Sequence, residues 1–279
     1  NNLYNLGDRV LPEISIKEYE SYYGFFKLHI SCDSYELQYY TIPLSVEAGF
    51  RAQIAVPELQ MTSSMKGKCI LRADYDATDG TRIDGSSSEP FFVDDKLDIS
   101  INQDLEVKPG GSMDIFAEVR KYNNGFLPKG EAAVTFNNKE EKIAIGFGVL
   151  KYTLHVEKNV EAGNIPLYIS AKDQFGNYAD KTFAISVPAM PTRIENLFDS
   201  NILMPNDKGR VKITIYDHTG KVINGSVINA RVLDPEKNII AEKKVENLAY
   251  FEFQLNPNQA PGEYFLQSAF ENIKEQSSF

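Results

Sequence analysis

The 279-residue chain carries 39 acidic and 29 basic side chains, so its formal net charge is −10, and 42% of its residues are hydrophobic. An acidic chain without a Lys/Arg cluster is a poor partner for nucleic acid or for an anionic membrane. Its apolar residues come in short alternating runs that never approach the ~18 continuous apolar residues of a membrane span. Composition therefore predicts two or three packed domains without a transmembrane segment.

The first third of the chain is the most acidic, with 15 acidic against 8 basic side chains in residues 1–95. Period-2 alternation of apolar residues predicts strands around Ile14–Ile16, Phe26–Cys32 and Glu36–Pro43, and a later strand that begins at Gly67. These short strands separated by polar turns are typical of a β-sandwich.

The two cysteines fall on inward faces of separate predicted strands. Cys32 shares its face with Ile30, and Cys69 shares its face with Leu71. A bridge between them would pin the sheets of one sandwich, close a 37-residue interval, and stabilise the fold by roughly 4 kcal/mol in the chain-entropy model. A disulfide indicates an extracellular setting. The alternative is a pair of buried free thiols in a cytosolic protein.

The second and third thirds of the chain repeat one another. Their landmarks recur at intervals of 95 to 99 residues: Pro109 with Pro205, Gly125 with Gly220, and Gly163 with Gly262. Such a repeat, with turn signals every ~8–12 residues, indicates tandem sandwich modules. We predict three modules, at residues 1–95, 96–188 and 189–279, joined by short linkers that restrict bending.

The last module is expected to be incomplete. After the strand that follows Gly262, residues Glu271–Gln276 are predicted to form a turn and Ser277–Phe279 to begin a strand. A sandwich that lacks half of its last strand exposes a sheet edge. We therefore expect further repeats beyond Phe279.

Several turn motifs carry a family resemblance. Asp217-x-x-Gly220 with Gly225–Val232 and Asp234-Pro-x-x-Asn238 resembles the turn pattern of bacterial and archaeal Ig-like and macroglobulin-like sandwich modules. Asp173–Asn177 is similar to the late hairpin of surface Ig-like repeats. The resemblance implies an all-β fold of three tandem Ig-like β-sandwiches, arranged end to end.

The first module resembles those of large archaeal surface proteins, on the basis of Asp33 after Cys32 and of Gly67-Lys-Cys69. This resemblance implies an archaeal cell-surface or surface-layer (S-layer) origin. The thioester motif Cys-Gly-Glu-Gln is missing from the sequence, so the trapping chemistry of macroglobulins is not implied.

Nothing in the sequence predicts catalysis. His29, His155 and His218 lie in three different modules, the first two on outward strand faces and the third in a turn, so they cannot share a site. We interpret all three as surface residues. Gly85–Ser88 lacks the nucleophile elbow, and no metal or phosphate-loop motif is present. We predict that the chain is no enzyme and needs no cofactor.

Calcium is the metal for which the sequence offers candidate ligands. Asp94, Asp95 and Asp98 at the first junction offer hard oxygen ligands, and Asp74, Asp76 and Asp79 lie in the same module. The alternative is an ordinary solvated acidic loop.

Tyrosine pairs are the candidate contacts for a partner. In Tyr22-Tyr23 and in Tyr39-Tyr40, alternation requires that one member of each pair faces out of its strand. Such side chains suit a protein or a glycan, or are ordinary sheet-surface residues. Asn224-Gly-Ser226 is the one N-x-S/T sequon and a candidate glycosylation site.

Together these features predict a non-catalytic structural or adhesive module of an extracellular surface protein, a stalk or surface-layer segment whose partners are other copies of surface proteins. The alternative is a protein- or glycan-recognition module that uses the acidic, Tyr-bearing first module. An accessory or inhibitory module of a secreted enzyme is a third reading.

Overall fold

The computed structural model describes residues 2–279, and nearly all of its regular structure is β-strand. Among these residues the single helical segment is a 3₁₀ turn, Ser63–Met65, and no helix is long and apolar enough to cross a membrane. The strands form because apolar and polar side chains alternate: in Val149–His155 every second residue, from Leu150 to Leu154, is buried. The predicted all-β class is confirmed.

The chain divides into two compact units. The first comprises the residues up to Asp104 together with Asp114–Thr153 and Pro166–Phe183, and the second comprises Leu105–Met113, Leu154–Ile165 and Ala184–Phe279. These units do not follow the predicted boundaries, and the division into three domains stays a prediction.

Residues 2–95 contain ten strands around a mixed sheet. The strands are β1 (Leu3–Asn5), β2 (Arg9–Val10), β3 (Ile14–Lys17), β4 (Tyr22–Cys32), β5 (Tyr35–Val46), β6 (Arg51–Ile54), β7 (Leu59–Gln60), β8 (Gly67–Ala77), β9 (Arg82–Ser87) and β10 (Phe91–Asp94). The main sheet has the order β1-β10-β8-β4-β5, with β9 also paired to β8, and β2-β7 and β3-β6 form two small ribbons.

The disulfide lies within this main sheet. Cys32 on β4 stands directly opposite Cys69 on β8, and their sulfurs are bonded. The prediction that the bridge pins two facing sheets is wrong, because β4 and β8 are hydrogen-bonded neighbours. Both cysteines belong to a core that also contains Leu6, Met61 and Met65.

Residues 96–188 contain seven strands. They are β11 (Leu97–Ile101), β12 (Ser112–Lys121), β13 (Lys129–Phe136), β14 (Lys139–Gly146), β15 (Val149–His155), β16 (Gly163–Lys172) and β17 (Tyr178–Val187). They form one sheet in the order β11-β12-β15-β14-β13-β16-β17, and its two edges meet where Lys96 bridges Tyr178.

Residues 189–279 repeat this arrangement. Their strands are β18 (Pro191–Phe198), β19 (Lys208–Asp217), β20 (Val227–Leu233), β21 (Ile239–Glu246), β22 (Tyr250–Gln254), β23 (Phe265–Phe270) and β24 (Ile273–Ser278). The sheets β18-β19-β22 and β21-β20-β23-β24 follow the same chain order as the preceding seven strands, and they enclose a common core that includes Ile213, Ile215 and Phe251.

A paired strand forms where the sequence predicted a turn. Ile273–Ser278 pairs along its whole length with Phe265–Phe270, and Glu271 at the hairpin has a left-handed φ of 49°. The predicted turn at Glu271–Gln276 is therefore wrong. The turn needs only two residues because Glu271 adopts the conformation that a tight hairpin requires.

Candidate functional site

The candidate site is a buried polar joint inside the first unit. It consists of the Asn5–Asp8 turn on one side, and of the Lys121–Gly125 and Asp173–Asn177 turns on the other. Two of its side chains, Asn5 and Asn177, are completely buried. A polar group that is removed from water must be hydrogen-bonded within the protein, so the partners of these two amides define the joint.

The Asp173–Asn177 turn is held by its own first residue. Asp173 Oδ1 accepts the backbone N–H of Phe175 at 2.8 Å and that of Asn177 at 3.0 Å, while the N–H of Asp173 donates to the carbonyl of Asn177 at 3.0 Å. Gly176 supplies the positive φ, 95°, that this turn needs. Asn177 therefore projects from a fixed platform.

The Asn177 amide then bonds to the opposite turn. Its Nδ2 donates to the carbonyl of Leu6 at 2.8 Å and to Asp173 Oδ2 at 2.7 Å, and its Oδ1 accepts the Leu6 N–H at 3.1 Å. The Asn5 amide donates to the same Oδ1 at 3.3 Å. All four hydrogen-bonding positions of the Asn177 side chain are occupied, and the backbone of Leu6 pairs with it as it would with a neighbouring strand.

Charged side chains surround these amides. Asp8 pairs with Lys121 and accepts Asn123 Nδ2 at 2.8 Å, and the side chains of Asp8 and Lys121 are mostly buried. The Asn5 amide also donates to the carbonyl of Lys96 at 2.7 Å. A desolvated pair with additional hydrogen bonds fixes orientation more strongly than an exposed surface pair does.

Leu6 connects the joint to the disulfide core. Its backbone bonds to Asn177, while its side chain is buried in the cluster that contains Cys32 and Cys69. Gly7 follows with a φ of 82°, and a Cβ at this position would lie 2.3 Å from the ring of Phe175. Only glycine permits this backbone to approach the Asp173–Asn177 turn so closely.

The three aspartates predicted to bind calcium have separate partners. Asp95 bonds to Lys66 at 2.7 Å, Asp98 to Lys181 at 3.3 Å, and Asp94 accepts the backbone N–H of Lys96 at 3.1 Å. Within residues 2–279 no group of three or more His, Cys, Asp or Glu side chains is placed to hold a metal. The structure does not bring the three carboxylates together, and calcium binding there stays a prediction.

The ion pair of Asp95 and Lys66 shifts both groups. The hydrogen bond to Asp95 raises the pKa of Lys66. Burial opposes ionisation of Asp95, but the hydrogen bond and the positive charge of Lys66 outweigh it and lower the pKa of this carboxyl. The pair is thus coupled in favour of both charged forms.

Of the hairpin aspartates, Asp74 has two arginine neighbours and a histidine neighbour. Asp74 is buried, with Arg72 Nε at 2.9 Å, Arg82 Nη2 at 2.9 Å and His29 Nε2 at 3.7 Å. His29 lies on the outward face of β4, opposite the buried Leu28 and Ile30, as predicted, but its side chain is only 16% exposed because Asp74 and its arginine neighbours cover it. His155, which accepts or donates a hydrogen bond with Ser112 at 2.7 Å, is exposed.

The tyrosine pairs differ from the prediction at one of the two positions. Tyr22 and Tyr23 are both exposed. Tyr39 and Tyr40 are both packed against the cores of the first module, because a bulge opposite Leu28 breaks the alternation of β5. Burial raises the pKa of Tyr39 to about 12.

His218 has a structural role in the second unit. Its Nδ1 accepts the backbone N–H of Met190 at 3.4 Å, which leaves the proton on Nε2 to donate to the carbonyl of Val160 at 2.7 Å. Lys221, at the end of the same turn, pairs with Glu161 at 2.7 Å. The prediction that His218 is a plain surface residue is therefore wrong. Asn224 lies in an exposed turn, as a glycosylation acceptor must.

Sequence reasoning missed the joint, although it singled out the Asp173–Asn177 hairpin. Asp173–Asn177 and Asn5–Asp8 each carry turn residues, but their 168-residue separation gives no sign that they meet. The signal that the sequence offers is a hydrophobic residue, Leu6, inside the otherwise polar turn Asn5-Leu6-Gly7-Asp8. A buried Leu at such a position indicates that something covers the turn.

Comparisons with known proteins give likenesses of backbone only. No family model matches the chain, and no curated protein matches it. The crystal structure of a tetra-tandem repeat in the extending region of a large adhesion protein has a TM-score of 0.43 and 13% identity, and the match covers 98% of this chain and 74% of that one. A Salmonella alpha-2-macroglobulin mutant has a TM-score of 0.27 and 10% identity, and the match covers 99% of this chain and 20% of that one. Both TM-scores lie below 0.5, so neither likeness assigns a function.

Proposed function

We propose that this chain is a non-catalytic segment of an extracellular surface protein, a stalk or surface-layer element that resists extension, sets distance and carries adhesive surfaces. The observation that carries the proposal is the fully satisfied Asn177 amide, which fixes the backbone of Leu6 across the joint. Such a contact keeps neighbouring segments from bending, as a stalk requires.

The joint is anchored in a core that contains a disulfide. Force that reaches the Asn5–Asp8 turn passes through Leu6 into a core that is cross-linked by Cys32 and Cys69. A cross-strand disulfide keeps β4 and β8 from separating, and disulfides persist in oxidising, extracellular compartments. The cross-link and the joint together favour an exported segment that resists extension.

A distance measurement across the joint tests this proposal. Because both native cysteines are bonded, Tyr23→Cys and Tyr168→Cys can carry spin labels at two exposed positions of the first unit. We expect a single narrow distance distribution in the otherwise unchanged chain, and a broadened one when Asn177→Ala is added. Asn238→Ala, in a similar turn of the second unit, is the matched control and should leave the distribution unchanged.

A broad distribution in the chain with Asn177 intact would contradict the stalk proposal, since the joint would then be a flexible tether. The extracellular setting is tested separately by brief protease treatment of intact cells that express the native protein. Release of peptides from this chain into the medium is expected, and protection until lysis argues against an exposed stalk.

A recognition role is the second candidate, favoured by an aromatic and acidic patch in the first module. Tyr19 is 94% exposed and Phe50 is 68% exposed, and Tyr23 is exposed as well. Two hydrogen bonds hold the two loops of this patch together: Gly49 N–H donates to the Glu18 carbonyl, and Ala48 N–H donates to the Ser21 hydroxyl oxygen. Exposed aromatics on a fixed frame suit protein or glycan contact.

The triple variant Tyr19→Ser, Tyr23→Ser and Phe50→Ser tests the recognition role. Loss of adhesion of beads coated with the chain to host-cell or same-species surfaces would support it. Phe147→Ser is the control, because Phe147 is equally exposed but lies outside the patch. Unchanged adhesion in the triple variant would leave the stalk as the working function.

A further inference from the structure

The end of the third repeat contains an apolar cavity whose rim is open to solvent. It has a volume of 490 Å³. Its apolar lining comes from the loop before β19, the loop between β22 and β23, and the last residue, and it includes Ile202, Leu203, Met204, Leu255, Tyr264 and Phe279. Ile202 is 80% exposed and Met204 is 66% exposed, which is unusual for adjacent aliphatic side chains.

The loops that form the rim are fixed by hydrogen bonds of their backbone and of the Asp207 carboxylate. Asp207 Oδ2 accepts the N–H of Met204 at 2.8 Å, and the Asp207 N–H donates to the carbonyl of Met204 at 3.0 Å. Leu255 joins the second loop to the first, because its N–H donates to the Asp207 carbonyl at 3.0 Å and its carbonyl accepts the Asn206 N–H at 3.1 Å. The exposed aliphatic side chains therefore stand on a fixed frame and do not collapse into the cavity.

The floor of the cavity is equally well ordered. The backbone of Phe279 exchanges two hydrogen bonds with that of Tyr264, at 3.0 and 3.1 Å. The Phe279 ring packs against Phe198 and Phe253 with centroid distances of 5.1 and 5.4 Å. A preformed apolar concavity of this kind is what a docking partner needs, since binding then costs little ordering of the receptor.

The same end of the second repeat has an occupant. The correspondence of Pro109 with Pro205 and of Gly163 with Gly262 makes the loop before Gly163 equivalent to the loop before Gly262. Within the second unit, that earlier loop receives the Asp217–Lys221 turn: Val160 accepts His218 Nε2, and Glu161 pairs with Lys221. The equivalent loop of the third repeat has no such partner among residues 2–279.

We propose that this cavity is the docking site for the Asp-x-x-Gly turn of a further module of the same repeat type; the proposal rests on the stalk function and names its partner. Ala260 stands 99 residues after Glu161, in a loop that also contains Pro261. The docking turn therefore carries an apolar residue at the position that Lys221 occupies in the third repeat. Hydrophobic burial replaces the ion pair as the main stabilising contact.

An extended chain tests the proposal. A second copy of residues 189–279, with Lys221→Leu in the added copy, is joined after Phe279, and a cysteine is placed in the original cavity by Met204→Cys. The native cysteines are bonded and do not react. We expect the rate of maleimide labelling at position 204 to fall at least tenfold relative to the unextended chain with the same substitution.

Val227→Cys is the matched control, because Val227 is exposed in the same repeat but does not line the cavity. Its labelling rate should be the same in both chains. Ile202→Cys repeats the measurement if Met204→Cys prevents folding. An unchanged rate at both cavity positions overturns the proposal. It is also overturned if the unextended chain self-associates in sedimentation and protects position 204, since the occupant would then be a second copy.

The result is separable from the stalk proposal. A narrow spin-label distance with unprotected cavity cysteines rejects the docking site and leaves the stalk in place. A broad distance rejects the stalk whatever the labelling rates are.

Discussion

Two turns of this protein share one internal design and differ in their surroundings. Asp173–Asn177 and Asp234–Asn238 both begin with an aspartate whose Oδ1 accepts the N–H of an asparagine four residues on, at 3.0 and 2.8 Å. In both, the asparagine Nδ2 returns a bond to Oδ2 of the same aspartate. Yet Asn177 is fully buried against Leu6, whereas Asn238 is exposed.

The difference separates what a turn motif specifies from what it does not. The local hydrogen bonds of an Asp-x-x-x-Asn turn fix its backbone and need no partner. The hydrogen-bonding positions of the asparagine amide that the turn does not use can bind water, as at Asn238, or bond to the backbone of a second segment, as at Asn177. The role of the asparagine therefore depends on what the fold packs against it, which for Asn177 is the backbone of Leu6. Substitutions at both turns can test this difference.

The largest expected effect comes from the core behind the joint. Replacing both cysteines, Cys32→Ser with Cys69→Ser, should destabilise the first unit by about 4 kcal/mol, because the unfolded chain regains the entropy of an unconstrained loop. Urea unfolding followed by hydrogen exchange would report the two units separately. The second unit contains neither cysteine and is the internal control; an equal loss in both units would contradict this assignment.

The next largest effect is expected from substitution of the two turn asparagines, Asn177 and Asn238. Asn177→Ala should cost about 2–4 kcal/mol, because it leaves the N–H and the carbonyl of Leu6 buried without partners. Asn238→Ala keeps the backbone hydrogen bond to Asp234, loses only the exposed side-chain hydrogen bond, and should cost about 0.5 kcal/mol. Both are measured as changes in the free energy of unfolding. Equal costs would show that Asn177 acts only within its own turn.

The sequence carried enough information for the class of fold and for the pairing of the cysteines. Strict alternation placed Cys32 and Cys69 on inward faces, and period-2 patterns with turn residues between them specify strands without reference to distant parts of the chain. Which strands become neighbours depends on contacts between residues that are far apart in the sequence. For that reason the placement of the bridge between two sheets was wrong.

Other errors have equally definite causes. The bulge opposite Leu28 turned Tyr39 and Tyr40 towards the core, and a bulge changes the side-chain alternation without any strong sequence signal. The left-handed Glu271 allowed a hairpin shorter than the composition suggested. The joint itself depends on a contact between residues 6 and 177, and its chemistry is ordinary at each end taken alone.

Gly7, on the side of the joint opposite Asn177, can be compared with Gly49, which lies outside the joint. Gly7 and Gly49 both have left-handed φ angles, 82° and 78°, so alanine at either site should cost about 1 kcal/mol in backbone strain. A Cβ at Gly7 would also strike the Phe175 ring at 2.3 Å, whereas nothing lies within 4 Å at Gly49. Gly7→Ala should therefore cost about 2 kcal/mol in unfolding free energy, and Gly49→Ala about half as much.

If the two alanine variants prove equally stable, Phe175 moves aside freely and the close approach at Gly7 does not hold the joint. A second reading comes from the spin-label pair at positions 23 and 168. Gly7→Ala should broaden the distance distribution, and Gly49→Ala should leave it narrow.

The smallest effect concerns the ion pair beside the joint. The pKa of Asp95 lies below its ordinary value of 3.8 in the folded protein, mainly because Lys66 outweighs the effect of burial. A carboxyl with a lowered folded-state pKa stabilises the fold above its unfolded pKa, and this contribution is lost as the pH falls through the folded value. The unfolding free energy should therefore decline below about pH 3.8 by an amount that Asp95→Asn removes.

The variant Lys66→Met tests whether Lys66 is the cause of the lowered pKa of Asp95. Without the ammonium group, the burial of Asp95 is no longer offset to the same degree, so its pKa should rise, as read from the carboxyl carbon shift in an NMR titration. The change in stability should stay below about 1 kcal/mol, because Lys66 is half exposed and solvent screens the pair. An unchanged pKa of Asp95 would mean that backbone hydrogen bonds alone hold the carboxylate ionised.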